Sequence, residues 1–420
     1  MSSPPAPLAS GSAARSAPAA RLSLGVLAAV VLVNAIAPLA TDMYVPAFPA
    51  VGLDLGASAT QVQLTLTTFF VGMALGQLVG GPSSDGHGRR RPLLVALAVL
   101  AVASLVCGTS SSLGPLLVAR FLQGLSGGWA MVVARAIVID LASGPALVRA
   151  LNAVAGVGGI ALVGGPLLGG VLVELTDWRV SFWVVAGLAA AMVAAVLIAV
   201  PESLPPARRH PRGMSTLASA AREVLARRRF VGYLVVMALS MGVTFSYVAS
   251  STFILQVMNG LSPIQYAAVF AGNAAGLTVT TLLAARLAGQ VPTERVIGIG
   301  LVLTAVAGLV LLVGAVWFAM PVWVAVAGFF LLMSAQGLVG PNAGALASDQ
   351  VPRHPGTGSA VLGVVQWSMA GLIAPLTGLG GDTTAVPMAV VILVLVTISA
   401  LALVRLARPD VEPRSTPWPR

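Results

Sequence analysis

Long apolar runs alternate with short polar connections along this chain, and that alternation sets the architecture. Twelve runs are about 20 residues long, enough for a helix to cross a hydrocarbon layer of about 30 Å. They fall at roughly 24–46, 60–83, 92–110, 115–140, 150–173, 180–200, 230–256, 263–287, 295–316, 321–346, 358–380 and 384–405. The longest polar connection, 201–229, holds Pro205, Pro206, Arg208, Arg209, Arg212, Arg222 and Arg227 to Arg229, and it separates two sets of six runs. The pattern predicts an all-α membrane protein with 12 transmembrane helices in two pseudo-symmetric six-helix bundles. The expected organisation is a disordered cytoplasmic leader at 1–22, a first bundle at 23–200, a cytoplasmic linker at 201–229, a second bundle at 230–406 and a cytoplasmic tail at 407–420. A cleaved signal peptide does not fit, because the first apolar run is long and further runs follow.

Internal likeness supports the two sets. Phe70-Val-Gly72-Met-Ala74-Leu-Gly76 matches Phe270-Ala-Gly272-Asn-Ala274-Ala-Gly276. Gln123-Gly124-Leu125 matches Gln336-Gly337-Leu338, and Pro166-Leu-Leu-Gly169 matches Pro375-Leu-Thr-Gly378. Three matches in order, at offsets of 200, 213 and 209, point to a parallel repeat with a substrate site at its interface.

Composition narrows the class. Charged residues make up 9% of the chain and hydrophobic residues 57%, whereas a soluble domain carries about 25% charged residues. The net charge of +10 would suit nucleic acid, but its placement argues for no nucleic-acid partner. All 23 basic residues are arginine, and with the N-terminus inside, 20 of them fall in cytoplasmic segments. Arg179 falls outside, while Arg120 and Arg135 lie within the fourth run. The positive-inside rule therefore predicts both termini in the cytoplasm. The single Cys107 lies in an apolar run and reads as a small buried hydrophobe. No metal or dinucleotide motif appears, so neither an enzyme nor a bound cofactor is expected.

Candidate chemistry sits where polar groups interrupt the runs. Asp42 ends a stripe with Asn34 and Pro38 at i, i+4 and i+8 in the first run. An acid inside a membrane span points to function, although an outer-interface position would also explain it. Arg120 shares a helix face with Gln123 and Gly127, so it either faces a cavity with Gln123 or snorkels to the outer surface. Tyr44 and Tyr247, with Phe245 and Trp367, are possible cavity walls. Asn34, Asn273, Gln336, Asn342 and Gln366 either face the cavity or bond neighbouring helices.

Gly81-Pro-Ser83-Ser-Asp85-Gly86-His-Gly88-Arg89-Arg90 joins the second and third runs. It resembles the loop signature of the major facilitator superfamily, departing from it at Ser83 and Gly86. The resemblance implies a conformational latch of Gly81, Asp85, Gly88, Arg89 and Arg90, with Arg89 paired to Asp140. Arg120-Phe-Leu-Gln123-Gly124 resembles the family's Arg-x-x-Gln-Gly motif. Gly165-Pro166-Leu-Leu-Gly169-Gly170 resembles its antiporter motif, which favours export over import. Thr41-Asp42-Met-Tyr44-Val-Pro46-Ala-Phe-Pro resembles the Bcr/CflA-type drug:proton antiporters. That likeness implies a proton-coupling and drug-recognition site at Asp42; Arg120 and Gln123 are expected in the same site, where burial would favour the neutral acid and a nearby arginine the ionised one. The expectation is a monomeric, multi-pass transporter of a bacterial inner membrane, exporting drugs or antibiotics in exchange for protons. The alternatives are a metabolite exporter or importer on the same fold, which vesicle uptake distinguishes, and a membrane enzyme or receptor.

Overall fold

The computed structural model describes residues 22–209, 214–351 and 355–407. The leader, part of the linker with His210 and Arg212, His354, and nearly all of the tail lie outside the described residues. The first bundle contains α1 (Leu24–Asp42), a 3-10 turn (Val45–Ala47), α2 (Phe48–Leu55), α3 (Ala59–His87), α4 (Arg90–Thr109), α5 (Leu113–Leu141), α6 (Gly144–Leu175) and α7 (Arg179–Ala199). After α8 (Met214–Leu225), the second contains α9 (Arg228–Thr252), a π-helical turn (Phe253–Met258), α10 (Pro263–Leu287), α11 (Thr293–Trp317), α12 (Val322–Asp349), α13 (Pro355–Thr377) and α14 (Val386–Arg405).

Eleven of the described helical stretches are long and apolar enough to cross a membrane. The apolar part of α6, Ile160–Leu175, supplies the remaining predicted run. Two features depart from the apolar pattern. The first run does not stop near residue 46: Pro46 and Pro49 break the helix after Asp42, and it resumes as α2 to Leu55. The polar linker holds the helix α8, whose Val224 is buried near Phe230 and Tyr233 of α9.

The repeat extends to details that runs of apolar residues do not show. Ser58 with Gln61 caps α3, and Ser262 with Gln265 caps α10, each as a reciprocal capping box. In the first bundle Gln123 of α5 donates to Ser104 of α4 at 2.8 Å; in the second, Gln336 of α12 donates to Thr304 of α11 at 2.8 Å. What differs is the group meeting the amide oxygen: the Arg120 guanidinium in one bundle and the Ser240 hydroxyl in the other. The charge is thus an addition to one copy of a shared polar frame.

Glycine sets how closely α3 and α5 approach. A Cβ at Gly124 would meet the Phe69 carbonyl, one at Gly128 the Met73 carbonyl, and ones at Gly72 and Gly76 the carbonyls of Phe121 and Leu125. Small residues that let backbones touch are the usual means of packing helices in lipid, where no hydrophobic force distinguishes neighbours. Gly124→Val would force that contact apart. Overpacking costs about 1–3 kcal/mol, and we expect the thermal midpoint in detergent to fall by roughly 1–4 °C; an unchanged midpoint would show that the helices can separate freely.

Hydrogen bonds between the bundles join the ends away from the arginine-rich loops. Thr60 donates to the Gly378 carbonyl, and Gln63 to the Ala249 carbonyl at 2.9 Å. Thr252 donates to the Val45 carbonyl at 3.1 Å, Gln256 to the Pro46 carbonyl at 3.0 Å, and the Ile264 amide to Glu174 at 3.1 Å. These bonds close, at that end, the seams of α3 with α9, of α3 with the segment after α13, of the 3-10 turn with α9 and its π-helical extension, and of α6 with α10.

Candidate functional site

Asp42 ends α1 at the break, and its residue is 4% exposed. Its Oδ1 accepts from the Thr41 hydroxyl at 3.1 Å, while Oδ2 is buried without a hydrogen-bond partner. The antiporter-motif glycines explain how a helix fits beside it. A Cβ at Gly165 would press on the Asp42 Cβ, one at Gly169 would strike the Met43 carbonyl, and one at Gly170 would meet Ala267 and Pro263 of α10. These glycines seat α6 on the α1 break and against the second bundle, and Pro166 stands between them within α6. Three residues beyond Asp42, the Val45 carbonyl accepts from Thr252 of α9 at 3.1 Å. The acid therefore sits where both bundles meet.

Arg120 does not snorkel and does not share a cavity with Asp42. It is completely buried, and its guanidinium lies 4.4 Å from the Phe69 ring centroid, 4.9 Å from Tyr44 and 5.6 Å from Phe182. It donates to the Ala40 carbonyl at 3.1 Å, the Thr65 carbonyl at 3.4 Å and the Gln123 side chain. None of the ion pairs found among the described residues involves it. The cause is helical geometry. Arg120 reaches the backbone of Ala40, and a residue two positions further along a helix points to nearly the opposite side. Asp42 thus turns to α6 and the second bundle, and the arginine into its aromatic cage. Rings and carbonyls, each carrying negative partial charge toward the cation, take the place of a carboxylate.

The remaining predicted cavity residues mostly bond helices rather than line open space. Asn34 donates to Val30 and Asn342 to Leu338, each on its own helix. Tyr44 accepts from Thr65 at 3.1 Å, and Asn273 donates to the Tyr247 hydroxyl at 2.9 Å. Gln336 bridges Ser240 and Thr304. Gln366 is half-buried beside Trp367. Trp367 stacks on Phe70 at 5.4 Å, and Phe245 meets Phe70 edge-on at 4.4 Å, so this ring cluster joins α3, α9 and α13 across the two bundles. An apolar groove of about 650 Å³ between α4 and α5 is lined by residues such as Val102, Val118 and Leu122 and holds none of the candidate polar groups.

A second polar cluster lies at the arginine-rich end. Arg89 donates to Asp85 at 2.6 Å, to Asp140 at 2.9 Å and to Ser84 at 2.7 Å, tying α3 to α5. Burial disfavours the charged guanidinium, but Asp140 and Asp85 more than offset it and raise its pKa above the usual arginine value. Arg90 reaches the Leu197 carbonyl at the end of α7. Gly81 joins the cluster through its backbone alone: its carbonyl accepts from the Ser84 hydroxyl at 3.0 Å, and a Cβ there would meet nothing.

The sequence reading missed Glu202. Its carboxylate accepts from the Arg89 amide at 2.7 Å, the Arg90 amide at 3.3 Å and the Leu204 amide at 3.0 Å, and pairs with Arg209 at 3.8 Å. The available signal was a lone acid directly after the sixth run, inside an arginine-rich segment. Gly88 makes the approach possible: its φ is +88°, and a Cβ there would collide with the Glu202 carboxylate. Gly88→Ala should therefore detach Glu202. Strained backbone of this kind costs about 1–3 kcal/mol, and Glu202→Gln, which keeps the shape but not the charge, should cost less. Thermal midpoints of the two variants check that order.

Two sets of membrane-crossing helices, related by an internal repeat and meeting over a buried acid, define a multi-pass secondary-transporter class. A family model described as Major Facilitator Superfamily matches residues 30–375. The chain belongs to the major facilitator superfamily, and it is a transporter, not an enzyme. An uncharacterized MFS-type transporter of Bacillus subtilis (strain 168), YdgK, is 31% identical over 397 residues, which is 94% of this chain and 98% of that protein. A bicyclomycin resistance protein homolog of Haemophilus influenzae is 28% identical over 91% of this chain and 94% of its own length, in keeping with the Bcr/CflA-type resemblance. Among solved structures, a D-xylose-proton symporter superposes with a TM-score of 0.73 at 15% identity, covering 91% of this chain and 98% of that one. A bacterial homolog of the human lysosomal transporter Spinster, inward-facing and unoccupied, gives 0.70 at 16% identity, covering 91% and 95%. These structural likenesses concern the fold alone.

Proposed function

We propose that this transporter exports small organic compounds, drugs and antibiotics among them, from a bacterial cytoplasm in exchange for protons. The observation that carries the reading is the buried Asp42 carboxylate, with its unpartnered Oδ2, at the junction of α1, α6 and the second bundle. A carboxylate without a hydrogen-bond partner in an apolar interior is costly, and taking up a proton relieves that cost. A site that alternates between a proton and cargo needs such an acid where the two bundles move against each other. The antiporter-motif packing at Gly165, Gly169 and Gly170, and the drug-resistance names of relatives, favour export.

The protein works as a monomer in the inner membrane with both termini cytoplasmic, and protons are its only coupling ion. The arginine-rich end then faces the cytoplasm, and the closed seams at Thr252–Val45 and Thr60–Gly378 shut the outer side. One entering proton gains about 2.3 kcal/mol per 100 mV and about 1.4 kcal/mol per pH unit, enough to hold a cargo gradient of a few hundredfold. The test is a susceptibility panel on a sensitive host expressing the chain, with and without a proton uncoupler. Raised resistance to some compounds, lost on uncoupling, is expected. Unchanged susceptibility across the panel, with labelled metabolites moving into vesicles, would instead mark a metabolite carrier.

A further inference from the structure

The first turn of α10 presents one backbone donor that its own cap does not satisfy. Pro263 carries no N–H. Ser262 accepts from the Gln265 amide through its hydroxyl at 3.3 Å and from the Tyr266 amide through its carbonyl at 2.9 Å. The Gln265 side chain accepts in return from the Ser262 amide at 3.0 Å. That leaves the Ile264 amide, which donates to the Glu174 carboxylate at the end of α6 at 3.1 Å, from one bundle to the other. One turn before Glu174, Gly170 lets α6 lie against Pro263 and Ala267, and this close approach brings the carboxylate within reach.

The repeat contains a counterpart. Ser58 and Gln61 cap α3 as Ser262 and Gln265 cap α10, so Thr60 stands where Ile264 does. The Thr60 hydroxyl crosses between the bundles to the Gly378 carbonyl, just past α13. The same helix position thus carries a clasp in both seams, neutral in one and anionic in the other. The remaining hydrogen bonds found across this end, from Gln63, Thr252 and Gln256, also join neutral groups. Asp54, Asp177 and Arg179 pair with one another inside the first bundle. Tyr266 shares its hydroxyl with Ser251 of α9. Among the described residues, Glu174 is therefore the one charged group at this end whose hydrogen bond crosses from bundle to bundle.

We infer that Glu174 is the charged clasp of the outer seam: its carboxylate caps α10 of the opposite bundle while that end is closed, and its charge sets how readily that end opens. The inference rests on the reading above in which the two bundles move against each other. A helix N-terminus is the positive end of its dipole and favours a carboxylate. The bond can form only while α6 and α10 touch, so the charge favours the closed arrangement. Both partners lie at an exposed rim. Water takes over each of them when the seam parts, which keeps the cost of release small. The clasp biases the carrier without locking it, as a step repeated in every cycle requires.

The purified full chain in lipid nanodiscs, spin-labelled at Leu53→Cys and Trp317→Cys, tests this by pulsed electron resonance across a pH series. Both positions are exposed at the outer end, one on each bundle, and the native Cys107 is buried. Glu174→Gln should raise the ratio of the longer, open distance to the shorter one about twofold to fivefold, the usual worth of a carboxylate at a helix N-terminus. Glu174→Lys, which sets a cation against the same dipole end, should raise it further. Asp177→Asn removes a nearby acid that pairs within its own bundle, and should leave the ratio in place. Salt screens exposed charge, so high salt should move the parent toward Glu174→Gln and leave that variant where it is. A ratio unmoved in both Glu174→Gln and Glu174→Lys, or moved as far by Asp177→Asn, overturns the inference while leaving the rocking bundles in place. One distance in every variant at every pH would mean that the bundles do not rock, and the proposed transport cycle fails together with the clasp.

Discussion

Asp42→Asn is expected to abolish proton-driven export while leaving the protein in the membrane at its normal level. The substitution keeps the size of the side chain, so α6 still seats on the break through Gly165 and Gly169. It removes the one group among the described carboxylates that is deeply buried. An amide cannot alternate between neutral and charged forms, so the carrier loses the step that ties proton entry to cargo exit. The expected loss is at least a hundredfold in energised export, against little change in folding, because a neutral amide suits the apolar site better than an unpartnered carboxylate. Drug susceptibility of cells expressing the variant, with membrane levels measured in parallel, checks both halves. Full resistance at normal expression would refute the coupling role.

Arg120→Met is expected to separate activity from stability in the same way. The guanidinium is completely buried and has no carboxylate partner, only three rings and the oxygens of Ala40, Thr65 and Gln123. Replacing buried charge by a well-packed apolar side chain is often neutral or stabilising by about 1–4 kcal/mol. Methionine fills the aromatic cage and makes favourable sulfur–ring contacts. We therefore expect an unchanged or higher thermal midpoint with export reduced at least tenfold, since the cation holds the α1 backbone at Ala40, two residues from Asp42. A stability loss comparable to that of Gly124→Val would mean that the cage is structural alone. Arg120→Lys should rescue little, because a single ammonium cannot replace the fork that reaches three acceptors.

The membrane architecture was legible because its signal is repeated along the whole chain. A run of apolar residues predicts a crossing helix whatever lies beside it, and the Gln123–Gly124 and Gln336–Gly337 matches correctly placed two equivalent polar junctions. The candidate residues were also legible, since a polar group inside an apolar run stands out. Their partners were not. Whether Asp42 turns toward Arg120 or toward α6 depends on which face of α1 it occupies and on where that helix breaks. Both depend on packing against α5, α6 and α9, elements far away in sequence. Asn34 and Asn342 looked like cavity groups for the same reason, yet each bonds its own helix, an option that no spacing rule distinguishes. Glu202 escaped notice because its role is to gather backbone amides of Arg89, Arg90 and Leu204, and amides leave no mark in a sequence.

The central claim is that a proton on Asp42 is exchanged for cargo as the bundles tilt. Its most direct measurement uses proteoliposomes with a pH dye inside, loaded with the compound against which expressing cells are best protected. With an imposed pH difference, cargo movement and proton movement should run in opposite directions, and both should vanish in Asp42→Asn. Transport that continues at the same rate with the pH difference and voltage both collapsed, in the parent or in the variant, would contradict the account.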